Sequence, residues 1–62
     1  MSLTKHVERW IKVERPGAAA LQTAIDGYSR LIQSEKNPMK RASLHSRKRL
    51  CERALAAQAG AQ

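Results

Sequence analysis

Apolar side chains recur with helical period through most of the chain. Leu3, Val7, Trp10 and Ile11 share one helical face. Leu21, Ala24, Ile25, Tyr28, Leu31 and Ile32 fall within about 120° of a helical wheel, opposite Gln22, Asp26, Ser29, Arg30 and Gln33. Between residues 38 and 59, Met39, Leu44, Leu50, Cys51, Ala54 and Leu55 occupy a broader arc of about 160°. No alternating apolar run bounded by turn residues occurs, so no strand is predicted.

The breakers sit between these stripes. Ser2 or Thr4 suits the N-cap of a first helix. Arg15 precedes Pro16, whose ring disfavours helical geometry in the residue before it, so that helix ends there. Pro16-Gly17 forms a short turn or opens the next helix. Lys36-Asn37-Pro38 is the second break: Asn37 is suited to an N-cap, and Pro38 to the first helical position, where its missing N–H costs nothing. Gly60 is a natural stop after an Ala-rich end that has little to bury and is expected to fray. The expected helices are about 3–15, 17–36 and 38–59. Glu8 with Lys12 and Asp26 with Arg30 are spaced to pair along a helix. Gly27 costs the second helix about 1 kcal/mol relative to Ala, which points to close packing at that position.

These elements predict an all-α fold of two or three helices in a single small domain over residues 1–62. The short connection at 36–38 favours an antiparallel hairpin of the second and third helices. The first helix would pack across that hairpin or against a second subunit, anchored by Trp10. A domain near 60 residues buries only about 60% of its unfolded surface. Ten of the apolar residues are Ala. A homodimer that covers the stripe of the second helix is therefore expected.

Charge changes the picture. Twelve Lys and Arg face five Asp and Glu, a net charge of +7. Residues 1–35 hold five basic and four acidic side chains, whereas residues 36–62 hold seven basic residues and one acid, Glu52. Charge gathered in one segment presents a field to an anionic partner. The candidate contacts are Lys36, Lys40, Arg41, Arg47, Lys48, Arg49 and Arg53. On the wheel Arg41, Lys48, Arg49 and Arg53 flank or oppose the apolar arc, while Lys40 and Arg47 fall inside it. The plain reading makes these a solvated face, with Lys40 and Arg47 snorkelling past the packed region. The functional reading has them contact phosphate, which the excess of Arg over Lys suits through bidentate bonds. Ser43, His45 and Ser46 lie between them and would add neutral contacts. If Arg47 turns inward it needs a partner such as Glu14, Asp26 or Glu35.

The expected partner is nucleic acid, DNA or RNA, met by a small accessory or regulatory protein. The alternative is an adaptor or inhibitor that docks on an acidic partner protein. A standard helix-turn-helix is disfavoured because the turn lacks Gly and the third helix carries few Asn or Gln to read bases. Binding that ignores sequence or reads shape fits the Arg and Lys content better.

Other chemistries lack their parts. His6, His45 and Cys51 share no metal-ligand spacing. Cys51 is alone and lies beside Leu50, as a small buried thiol does; no disulfide framework and no organised base accompany it. No Gly-rich phosphate loop exists, so no catalytic residue, cofactor or metal is expected. Trp10 and Tyr28 lie on apolar faces and are assigned to packing rather than base stacking. The first residues lack the apolar run of a signal peptide, and no stretch reaches a membrane-spanning length. A cytoplasmic location is expected.

Overall fold

A computed structural model describes residues 3–60 of the chain, apart from the Leu3 side chain. It contains three helices, α1 (Leu3–Glu14), α2 (Ala18–Ser34) and α3 (Pro38–Gly60), and no strand among the described residues. The proposed cap at Ser2 lies outside those residues, and Thr4 falls inside α1 rather than at its cap.

The chain ends α1 one residue earlier than the pattern suggests. Arg15 leaves helical geometry with φ 47°, although its N–H still donates to the Ile11 carbonyl at 3.2 Å. Pro16 follows it and is buried. Gly17 is the N-cap of α2 and offers no side-chain acceptor; its carbonyl receives the Leu21 N–H at 3.0 Å. At the other end α2 stops at Ser34, two residues short of expectation, because Glu35 takes extended geometry while its N–H closes on Leu31 at 2.9 Å.

The start of α3 follows the sequence closely. Asn37 Oδ1 accepts the N–H groups of Met39 at 2.9 Å and Lys40 at 3.4 Å, with Pro38 at the first helical position. Glu35 Oε1 in turn accepts the Asn37 N–H at 3.1 Å, which tightens the connection. α3 runs on through Gly60, and near its end Gln58 Nε2 donates to the Pro16 carbonyl at 2.7 Å. That bond ties the Ala-rich segment to the α1–α2 connection, so its last turns have a tertiary anchor.

Both shorter helices pack on α3, and the backbones of α1 and α2 stay more than 8 Å apart. α3, with its 23 residues, is roughly 35 Å long at about 1.5 Å per residue, which accounts for most of the 39 Å long axis of the structure. The core joins Val7 of α1, Leu21 and Ile25 of α2 and Cys51 of α3. Trp10, Ile11, Ala24, Tyr28, Leu50, Ala54 and Leu55 close around it. Ile32 and Leu44 are buried nearer the 35–37 connection. α3 thus covers most of the α2 stripe within one chain, but Leu31 stays 52% exposed at its edge.

Three expectations fail in detail. Met39 stands 82% exposed: its phase puts it on the side of Leu50 and Ser46, and α1, which packs on that side, begins farther along α3. Asp26 accepts a hydrogen bond from Gln22 at 3.0 Å; no bond joins it to Arg30. A Cβ at Gly27 would meet nothing within 4 Å, so no close helix approach requires that glycine. No helix among the described residues is long and apolar enough to cross a membrane.

Candidate nucleic-acid interface

The two partner helices of α3 decide which of its cations reach outward. Leu50 marks the side that α1 covers, with exposed Ser46 at its border, and Leu44, Cys51 and Leu55 the side that α2 covers. The remaining face carries Lys48, Arg41, His45, Arg49 and Arg53. From Lys48 to Arg53 it spans about 140° at 100° per residue. Arg41, His45, Arg49 and Arg53 are exposed, and Lys48 is half-buried at the edge beside α2. Glu52 lies near the middle of this face and is its one acid. Lys36 is exposed in the connection that precedes the helix.

Lys40 and Arg47 point elsewhere. Both line a groove of about 320 Å³ between α2 and α3, together with Leu31, Glu35 and Leu44. Lys40 remains exposed there, with the Glu35 carboxylate in the same wall. Arg47 is half-buried, and its guanidinium carbon sits 5.7 Å from the centroid of the Tyr28 ring. Its Nε and Nη2 donate to the Ser43 carbonyl and hydroxyl, both at 3.4 Å. The inward partner of Arg47 is therefore an aromatic face and Ser43, not Glu14, Asp26 or Glu35. A weakly hydrated planar cation can be satisfied this way without a buried counter-ion.

Arg47 is also the only Lys or Arg whose side chain enters a hydrogen bond among the described residues. The carboxylates' bonds go to neutral donors, Gln22 and the Asn37 backbone. The outward cations are consequently not tied to acids.

Two protonatable groups lie against the core, Cys51 buried and Tyr28 half-buried. Burial raises the Cys51 thiol above its ordinary pKa of 9.0, and the Glu52 charge adds to that. Burial likewise raises Tyr28 above 10.0, helped by Cys51 and opposed by the charge and hydrogen bond of Arg47. Both groups stay protonated at neutral pH. Among the described residues no cluster of three His, Cys, Asp or Glu side chains converges to hold a metal ion.

A second groove, of about 340 Å³, lies between the start of α1 and the middle of α3, with Thr4, His45, Arg49 and Arg53 in its wall. The sequence pattern gives Thr4 no place in a binding site. Its position there depends on where α1 docks, and no periodicity within α1 encodes that. No family model matches the chain, and neither a curated protein nor a solved structure matches it.

Proposed function

We propose that this chain is a small nucleic-acid-binding protein of accessory or regulatory type, contacting phosphates through the outward face of α3. The observation that carries this reading is the set Arg41, Lys48, Arg49 and Arg53 on one rigid helix, with no hydrogen bond to a carboxylate. Lys36 extends the set past the start of the helix, and Lys40 borders it. Arg47 belongs to the fold rather than to the contact. The α2–α3 pair works as an antiparallel hairpin: Tyr28 faces Arg47, and Pro16, just ahead of α2, meets Gln58 near the end of α3. Two copies related by a two-fold axis would double the basic face. Exposed Val13 and half-buried Trp10 on α1 would supply their contact, since α3 already covers Leu21, Ile25 and Ile32 of the α2 stripe. The protein acts in the cytoplasm in this reading.

The test measures binding of the wild type and an Arg41→Gln/Lys48→Gln/Arg49→Gln/Arg53→Gln variant to duplex DNA and to a hairpin RNA. The variant should lose affinity of about a hundredfold or more on the preferred ligand, since removing about four phosphate contacts removes the sequence-independent part of binding. Equal affinity of the two proteins would refute the proposal.

One observation favours the adaptor reading instead. Val13 is 69% and Met39 82% exposed, which is more than these apolar side chains need. Under that reading Val13→Ala and Met39→Ala weaken partner binding more than reversing Arg41, Lys48 and Arg49 does.

A further inference from the structure

We infer that the groove between α1 and α3 is a seat for a single backbone phosphodiester, held jointly by Arg49 and Arg53. This rests on the nucleic-acid reading above and adds a specific place and stoichiometry to it.

Open grooves mark the surface of the described residues. One runs along α1 and contains Glu14, and the one beside α2 contains Glu35. The groove between α1 and α3 has Arg49, Arg53 and His45 in its wall and no acid. Of the three it has the largest excess of cations, two arginines with no acid, whereas the groove beside α2 sets Lys40 and Arg47 against Glu35.

His45, Arg49 and Arg53 follow one another at intervals of four, so they form a single ridge along α3 with each side chain beside the next. Like charges one turn apart repel, and an anion between them removes that repulsion while accepting bonds from both guanidinium forks. Thr4 faces the ridge from α1. Thr4 is half-buried in that wall and brings a hydroxyl within reach of a group seated between the arginines. Ser46 is already engaged, because its hydroxyl donates to the Ala42 carbonyl at 3.1 Å. Leu50 and Ala42 complete the lining, and apolar surface beside the donors strengthens their attraction for an anion. The groove lies open along the exposed ridge, as a phosphate within a continuous strand requires. Arg41 and Lys48 stand on the opposite edge of the helix, where neighbouring phosphates would lie.

Sharing one phosphate makes the two arginines interdependent in a measurable way. Each neutralised phosphate contributes about 0.9 to the slope of log affinity against log salt. Arg49→Gln and Arg53→Gln singly should each weaken binding of a mixed-sequence duplex about tenfold, with little change in slope. The double variant should be hardly weaker than either single, and its slope should be shallower by about 0.9. Thr4→Val, which keeps shape and charge, should weaken binding about threefold and leave the slope alone. Circular dichroism melting of each variant checks that α1 and α3 remain folded. Multiplying losses, a slope change near 1.8 and a neutral Thr4→Val would mean two independent surface cations and overturn the seat. If the wild type binds the duplex and none of these variants matters, the seat alone is wrong. If the wild type binds neither duplex nor RNA, the function proposed above fails with it.

Discussion

Arg47 offers the sharpest test of how the fold divides its cations. The guanidinium carbon lies 5.7 Å from the Tyr28 centroid, inside the range of about 6 Å within which the ring quadrupole attracts a cation. Such contacts yield about 0.5–1 kcal/mol when exposed and about 2 when desolvated. Both side chains here are half-buried, so about 1 kcal/mol is expected. The two bonds to Ser43, at 3.4 Å, are well beyond the usual N–H···O length of about 2.9–3.0 Å and add little. A double-mutant cycle with Arg47→Met and Tyr28→Leu, followed by urea denaturation, isolates the pair from the burial each side chain loses separately. The coupling should be about 1 kcal/mol, or about 4–8 °C in melting temperature for a domain this small. Because the guanidinium is occupied, Arg47→Met should also weaken duplex binding less than Arg49→Gln does. A coupling under about 0.3 kcal/mol, within the error of additivity, would show that the ring does not hold Arg47.

Three further outcomes follow from local geometry. Gly27→Ala should stabilise the protein by about 0.8–1 kcal/mol in thermal or urea unfolding, since a methyl group there meets nothing within 4 Å and α2 gains propensity; a loss of stability would mean that a helix packs on this position after all. Asn37→Ala removes the acceptor of two N–H groups and should cost about 1 kcal/mol, measured the same way, with no effect if the α3 cap is immaterial. Cys51 has a folded-state pKa raised above 9.0, so the folded chain binds the proton more tightly than the unfolded one. Its contribution is fully present below pH 9 and declines as pH rises beyond it. Unfolding between pH 8 and 10 should show wild type losing more stability than Cys51→Ala. That variant keeps only the smaller loss that the raised Tyr28 begins near pH 10, and parallel curves would contradict the assignment of that thiol to the core.

What the sequence reveals is mostly local. The Asn37-Pro38 cap is a short-range device, and both its acceptor and its N1 proline stand where the residue types demand. The apolar stripe of α2 likewise names its buried members Leu21, Ile25 and Ile32. What stays hidden depends on distances along the chain. Met39 has the right phase on the wheel but the wrong height, because it shares the side of Leu50 and α1 begins farther along α3. Arg47 has an inward phase that suggests a phosphate or a carboxylate, whereas the facing residue is Tyr28, nineteen positions earlier in the sequence. Arg15 is a further case: the proline rule forecasts the end of α1, but not the left-handed backbone by which the chain turns. Of the seven candidate cations, the four that flank or oppose the apolar arc are separable from Lys40 and Arg47 by phase alone. The groove between α1 and α3 is not legible in this way, since the docking of α1 sets it.

The most direct measurement of the central claim is the salt dependence of wild-type affinity for a mixed-sequence nucleic-acid duplex. If Lys36, Arg41, Lys48, Arg49 and Arg53 neutralise about four to five phosphates as proposed, the slope of log affinity against log salt lies between about −3.6 and −4.5. A slope shallower than about −1 would mean that α3 presents its charge to solvent alone, and the account would be contradicted.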